Sequence, residues 1–102
     1  MVPVLERHQD ELELLCRRYH VRRLELFGSA AAGLYRPGQS DLDFLVEFEP
    51  LPPGTYADTY FGLLESLEQL LGQRVDLVVA SAIKNPYFRQ SVEQVRALLY
   101  AA

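Results

Sequence analysis

The sequence predicts an α/β (α+β) fold in which helices flank a small mixed sheet of three or four strands. Three observations support this prediction. Segments with helical spacing of apolar residues alternate with short runs in which every second residue is apolar, and glycine or proline separates the two kinds of segment. A chain of 102 residues is enough for one modest core, so we expect residues 1–102 to form a single domain.

The first two predicted elements are a helix and a strand. Apolar residues from Leu5 onward recur at helical spacing, which predicts a helix over about residues 3–19. Alternation of apolar and polar residues over Val21–Phe27 predicts a half-buried strand that ends at a Gly-Ser pair. A short helix or turn is expected over residues 30–35, followed by a loop over 36–40.

A second strand and a long helix follow. Residues 41–48 alternate again, which predicts a strand, and the three prolines and the glycine of 49–54 predict a connection. Thr55, with Asp58 three residues later, resembles a helix start. The helix is expected to end at Gly72, a common C-terminal stop.

The last predicted elements are a strand and a helix. Residues 74–79 are strongly apolar and predict a third strand, whereas Asn85-Pro86 predicts the start of a helix that runs to about Tyr100. Because a helix separates the second and third strands, we expect these two strands to be parallel. The first two strands are close in sequence and are expected to pair antiparallel.

Composition excludes several classes of protein. The net charge of −4 and the isoelectric point near 5.1 argue against stable binding to nucleic-acid phosphates. No apolar run has the length of a membrane span, and residues 1–10 lack the pattern of a secretory signal. With Cys16 as its single cysteine the chain forms no intrachain disulfide, and we expect a protein of the reducing cytoplasm.

Three aspartates are the first candidate site residues. Asp41 and Asp43 are one residue apart on a predicted strand, so their side chains point the same way about 6.6 Å apart. Asp76 begins the next strand, and all three carboxylates face one spot if the two strands are neighbours. Such a group of anions suits Mg²⁺ or Mn²⁺ and the two-metal chemistry of phosphoryl transfer. Aspartate at a strand start is also an ordinary turn residue, so this pattern alone leaves both interpretations open.

A Gly-Ser pair after the first predicted strand is the second candidate. Gly28 allows backbone N–H groups to approach a ligand, and the hydroxyl of Ser29 can bond a phosphate oxygen. The alternative is a simple turn in which the serine caps a helix. The pair is informative mainly because it lies one strand upstream of the two aspartates.

Taken together, these residues resemble a known signature. Leu26-Phe27-Gly28-Ser29, eleven intervening residues, Asp41-Leu42-Asp43 and the later Asp76 are similar to the nucleotidyltransferase signature of the DNA polymerase β superfamily. The order of helices and strands is similar too, over nearly the whole chain. The short length narrows the resemblance to the minimal nucleotidyltransferases (MNT proteins), which are often encoded beside a HEPN-domain partner.

The resemblance implies a nucleotidyltransferase fold and specific roles for the five residues. Gly28 and Ser29 would hold the triphosphate of ATP. Asp41 and Asp43 would bind both of two Mg²⁺ ions, with Mn²⁺ as a possible replacement. Asp76 would bind one ion and help to deprotonate the attacking hydroxyl.

The resemblance also implies a biological role. An MNT protein is the antitoxin of a type VII-like toxin–antitoxin pair, transferring AMP from ATP to a tyrosine hydroxyl of a HEPN ribonuclease toxin. The implied partners are therefore a HEPN toxin and ATP, in a cytoplasmic hetero-oligomer without a membrane.

One departure from the family pattern leaves a second interpretation open. Ala32 stands where many members have an arginine, and a missing cation would weaken triphosphate binding. Arg36 or Lys84 are the candidate replacements. The alternative is a catalytically weak antitoxin that neutralises its HEPN partner by binding alone. A third interpretation, transfer to RNA ends or to a small-molecule hydroxyl, is disfavoured for RNA by the acidic charge.

Two further groups of residues have structural explanations. Arg17, Arg18, Arg22 and Arg23 form a basic cluster that is typical of a solvated helix end. The aromatic residues Tyr56, Tyr60 and Phe61 are expected on the core face of the long helix.

Overall fold

The computed structural model describes residues 3–28, 41–80 and 96–102. These ranges contain three helices, α1 (Pro3–Arg7), α2 (Gln9–Arg18) and α3 (Tyr56–Leu71), and four strands, β1 (Val21–Phe27), β2 (Leu42–Phe48), β3 (Val75–Val79) and β4 (Arg96–Ala101). The helix or turn predicted over 30–35, the loop over 36–40 and the start of the last predicted helix lie outside the described residues.

The four strands form one mixed sheet in the order β3-β2-β1-β4. β1 pairs antiparallel with β2, and β2 pairs parallel with β3 across the α3 connection. The sequence predictions of a mixed sheet, of the antiparallel first pair and of the parallel second pair are therefore confirmed. The fold class is α+β, with helices packed on the sheet.

The prediction of a helix up to Tyr100 is wrong for residues 96–101. These residues form β4, which pairs antiparallel with β1 and places Leu26 opposite Ala97. Alanine and leucine favour helices locally, but pairing with the free edge of β1 satisfies a row of backbone groups and outweighs that preference. Because this partner is about 70 residues away along the chain, local spacing carried no signal of it.

The main core lies between one face of the sheet and the three helices. Its fully buried side chains include Leu5, Cys16, Leu24, Phe44 and Leu63. Burial, and then the nearby Glu13 carboxylate, raise the pKa of the Cys16 thiol to about 12. This cysteine is therefore a neutral packing residue.

The single first helix that the spacing predicts is divided at His8. The backbone of His8, at φ −113° and ψ 23°, departs from helical geometry. The division separates α1 from α2, while Leu5 and Leu12 on either side both reach the core. The predicted apolar face is thus correct although the helix is not continuous.

Helix α3 begins and ends where the sequence predicts. Thr55 precedes it, but the Thr55 hydroxyl donates to the carbonyl of Pro52 at 2.7 Å and does not cap the helix. Gly72 ends it in the left-handed region at φ 68°, with its N–H bonded to the carbonyl of Glu68. The core face consists of the buried leucines of this helix, Leu63, Leu67 and Leu71.

The prediction that all three aromatic residues of α3 lie on the core face is wrong for two of them. Phe61 is 56% exposed because it lies on the side of the helix opposite Leu63. Tyr56 is 48% exposed in the first turn, where its ring packs edge-on against Phe48 at 5.8 Å. Tyr60 is half-buried and is in contact with the core, as expected.

The four arginines of the cluster are exposed, as predicted, but Arg17 and Arg18 lie at the end of α2 whereas Arg22 and Arg23 belong to β1. Arg17 bonds Glu13 at 2.6 Å within α2, and the Arg18 guanidinium lies 5.6 Å from the centre of the Tyr19 ring. Arg22 and Arg23 pair with Glu47 and Glu25, respectively.

The second face of the sheet carries a smaller apolar cluster. Phe27 and Leu45 are buried there, with Val78 and Ala80 packed against them. Side chains alternate along a strand, so Leu45 shares its face with Asp43, and Val78 shares its face with Asp76. The candidate site is therefore on the face of the sheet opposite the main core.

No helix in the described part of the chain has the length and apolar character needed to cross a membrane.

Candidate active site

The parallel pair of β2 and β3 brings two of the predicted carboxylates together. Asp43 and Asp76 are direct partners in the register of this pair. Neighbouring strands are about 4.8 Å apart, and both side chains project from the same face. The return of the chain through α3 produces this adjacency, because it starts β3 beside the start of β2.

The three aspartates interact electrostatically. Asp43 is half-buried, whereas Asp41 and Asp76 are exposed. The pKa of Asp43 is raised by its burial, then by the charge of Asp76 and then by that of Asp41. A carboxylate in this position is stabilised by a proton or by a cation.

Gly28 is in direct contact with this group. It follows β1, whose last residue Phe27 is the register partner of Asp43 on the other side from β3. The φ of Gly28 is +71°, and a Cβ atom there would overlap Oδ2 of Asp43 and lie 3.1 Å from its Cγ. The missing side chain thus provides the space that the Asp43 carboxylate occupies. Ser29 lies outside the described residues, as do Ala32, Arg36 and Lys84.

The donor set fits a hard divalent cation in its chemistry, because carboxylate oxygens are the ligands that Mg²⁺ and Mn²⁺ prefer. Across residues 3–28, 41–80 and 96–102, however, no three or more His, Cys, Asp or Glu side chains are gathered closely enough to hold a metal ion as they stand. The strand register supplies an adjacent pair, Asp43 and Asp76, with Asp41 close enough to influence its charge.

Tyr60 is a neighbour of the site that sequence analysis placed only in the core. Its hydroxyl donates to the carbonyl of Leu77 at 2.6 Å, one residue beyond Asp76. Burial raises the pKa of Tyr60, and the Asp76 carboxylate and Tyr56 raise it further. No sequence pattern indicates this contact, because it joins a residue of a helix to a residue of a strand 17 positions later in the chain.

A surface cavity of about 630 Å³ lies away from the aspartates. It is lined by Phe48, Glu49, Tyr56 and Val79, among others, at the far ends of β2 and β3. The carboxylates stand at the beginnings of these strands, so the cavity and the candidate site occupy opposite ends of the pair.

Comparison with known proteins identifies the class of this chain. The model of the nucleotidyltransferase domain family matches residues 11–99, which include Gly28 and all three aspartates. The chain therefore belongs to the nucleotidyltransferase domain family, and the resemblance predicted from the sequence is confirmed. By class the protein is a nucleotidyltransferase enzyme.

Within the family the chain is similar to small protein adenylyltransferases. MJ1379 of Methanocaldococcus jannaschii, which bears a provisional name as a protein adenylyltransferase, is 36% identical over 91 residues, covering 89% of this chain and 86% of that protein. The protein adenylyltransferase MntA of Thermococcus cleftensis is 40% identical over 82 residues, covering 80% and 76%.

Solved structures agree on the fold. A protein provisionally described as a minimal nucleotidyltransferase superposes with a TM-score of 0.74 at 36% identity, over 90% of this chain and 89% of that one. A chain from a toxin–antitoxin structure with AMP-PNP superposes with a TM-score of 0.70 at 22% identity, over 92% and 73%. At 22% identity, the similarity to the second structure shows the fold alone.

Proposed function

We propose that this protein is an antitoxin that transfers AMP from ATP to a tyrosine hydroxyl of a HEPN ribonuclease toxin. The observation that carries the proposal is the adjacency of Asp43 and Asp76 beside Gly28, in a chain of the nucleotidyltransferase family. The protein adenylyltransferase MntA, 40% identical to this chain, supports the choice of a protein as acceptor. We place the reaction in the cytoplasm, in a hetero-oligomer of the two proteins.

In the proposed reaction the acceptor oxygen attacks the α-phosphorus of ATP. The bond from that phosphorus to the bridging oxygen breaks, pyrophosphate leaves, and AMP remains on the acceptor. Asp76, exposed at the start of β3, is the proposed acceptor of the hydroxyl proton. Gly28 and Ser29 bind the triphosphate through backbone N–H groups and the serine hydroxyl.

Asp41, Asp43 and Asp76 would hold two Mg²⁺ ions, for which Mn²⁺ can substitute. When bound, these ions lower the pKa of the hydroxyl and neutralise charge on the leaving pyrophosphate. Asp43 is the half-buried centre of the set, and the exposed carboxylates of Asp41 and Asp76 would turn toward it. The raised pKa of Asp43 supports this role. Burial, and then the charges of Asp76 and Asp41, raise it, and a bound cation would offset both effects.

Reconstitution with a cognate HEPN partner tests the proposal. Purified protein, folded HEPN partner, ATP and Mg²⁺ are mixed, and the intact mass of the partner is measured. We expect a gain of one or more AMP units, located on a tyrosine by fragmentation. A folded partner that gains no mass would contradict the proposal.

Two variants sharpen the experiment. Changing both Asp41 and Asp43 to Asn should abolish the transfer, whereas Asp10→Asn, an exposed change in the first turn of α2, should leave it intact. RNA and aminoglycoside-like hydroxyl compounds, offered in the same assay, separate a protein acceptor from the other acceptor classes.

The second candidate is neutralisation by binding alone, which Ala32 in place of the family arginine favours. In that case the double Asn variant should still neutralise the ribonuclease activity of its partner. Loss of neutralisation in a variant that still binds the partner would exclude this candidate.

A further inference from the structure

We propose that Tyr60 and Glu68 are positioning residues that hold β3 on either side of Asp76, so that its carboxylate stays beside Asp43. This inference deepens the proposed function and rests on it, because it takes Asp76 to be a metal ligand.

Two side chains of α3 bond the backbone of β3 around Asp76. The hydroxyl of Tyr60 donates to the carbonyl of Leu77 at 2.6 Å. The N–H of Val75 donates to Oε2 of Glu68 at 3.2 Å. Asp76 lies between these two bonded residues, one position from each.

These bonds meet the side of β3 that the sheet leaves free. β3 is the outermost strand of the described sheet and pairs there with β2 alone. The carbonyl of Arg74 accepts from the N–H of Leu42, so the backbone groups of Arg74 and Asp76 face β2. Backbone groups of a strand alternate in direction, and those of Val75 and Leu77 therefore face away from β2.

A strand held on one side alone shifts and frays more easily than one held on both. Substitution of residues that orient metal ligands without contacting the metal commonly lowers metal affinity 10- to 100-fold. The hydrogen bonds that Tyr60 and Glu68 make to β3 both join backbone groups, so these two side chains act through the backbone on the position of Asp76 relative to Asp43.

Tyr60→Phe is the direct test, since it removes one oxygen and keeps the ring. Mn²⁺ binding is measured by titration calorimetry in the presence of an α,β-methylene analogue of ATP. We expect binding about 10-fold weaker than in the unchanged protein. Glu68→Ala should weaken it similarly, whereas Glu68→Gln, which retains an acceptor oxygen, should restore most of the affinity.

Tyr19→Phe is the matched control. The hydroxyl of Tyr19, which follows α2, shares a hydrogen bond of 3.1 Å with Ser66 of α3, the helix that carries Tyr60 and Glu68. This variant loses a comparable side-chain bond of α3 and should bind Mn²⁺ normally. Equal losses of affinity in Tyr60→Phe and Tyr19→Phe would overturn the inference, because the effect would then be general loss of stability.

A double variant tests whether Tyr60 acts through Asp76. Adding Tyr60→Phe to Asp76→Asn should weaken Mn²⁺ binding no further than Asp76→Asn alone. An additive loss would overturn the inference. If Asp76→Asn does not affect Mn²⁺ binding at all, the assigned role of Asp76 fails and the inference fails with it. If the Mn²⁺ results hold but the HEPN partner gains no AMP, the inference stands and the proposed AMP transfer to the HEPN toxin is wrong.

Discussion

Gly28 and Asp43 are the residues on which the geometry of the site depends most. A side chain at position 28 would overlap the carboxylate of Asp43, and the left-handed backbone there disfavours any residue with a Cβ. Gly28 therefore leaves the space that the Asp43 carboxylate occupies.

We predict that Gly28→Ala lowers AMP transfer about 100-fold, the scale expected when a reacting group is displaced by about 1 Å. The left-handed φ should also cost about 1–2 kcal/mol of stability. Gly54→Ala is the matched control, because Gly54 has φ +82° and no atom within 4 Å of the added Cβ. It should lose similar stability but keep activity, and equal losses of activity would contradict the explanation.

The raised pKa of Asp43 predicts a conflict between stability and function. When folding raises the pKa of a carboxyl group above its unfolded value, near 3.8, the protonated group favours the folded state. This contribution to stability is complete below the unfolded pKa and is lost as the pH rises through the folded pKa. Above its raised pKa, the ionised Asp43 carboxylate therefore lowers the stability of the fold, and Asp43→Asn removes this penalty.

We expect Asp43→Asn to raise the Tm at pH 7 in EDTA and to abolish AMP transfer. The gain in Tm should shrink as the pH falls through the raised pKa of Asp43, where the unchanged protein takes up its proton, and should be gone below about 3.8. Asp58→Asn, an exposed change in the first turn of α3, should not raise the Tm. A lower Tm for Asp43→Asn at pH 7 would show that the ionised carboxylate stabilises the fold.

At the scale of elements, β4 shows where sequence reasoning reached its limit. Leu99 and Tyr100 of this strand contact the main core. The predicted helix is wrong for residues 96–101, because an apolar run this short has no period that distinguishes a helix from a strand. The edge of β1, distant in sequence, decides the outcome.

Neighbouring leucines on β4 provide a test of this strand. Leu99 packs against the core, whereas Leu98 is 51% exposed. Leu99→Asp should destabilise the fold by about 2–4 kcal/mol, since it buries a charge without a partner, and Leu98→Asp by less than about 1 kcal/mol. Chemical unfolding measures both, and equal effects would contradict the alternation of a strand.

At the scale of the whole molecule, folding and ligand binding are linked. A ligand that binds only the folded chain stabilises it by about 2.7 kcal/mol at 100 times its Kd. For a domain of about 100 residues this corresponds to roughly 10 °C in Tm.

We therefore expect Mg²⁺ with the α,β-methylene analogue of ATP to raise the Tm by roughly 10 °C at saturating concentration. The shift should disappear when EDTA replaces Mg²⁺, and also in the variant with Asn at positions 41 and 43. Asp58→Asn should keep the full shift. A shift of equal size in the double Asn variant would remove the aspartates from the proposed binding site.

The sequence by itself determined β1, β2, α3 and β3, two of the three strand pairings and the family, because periodicity, turn residues and motif spacing are local properties of the chain. Only the tertiary structure decided that residues 96–101 are a strand and that Gly28 makes room for Asp43. It also decided that Tyr60 and Glu68 bond the free edge of β3. Each of these depends on contacts between distant segments, whose free energy outweighs local preference and leaves no trace in local spacing.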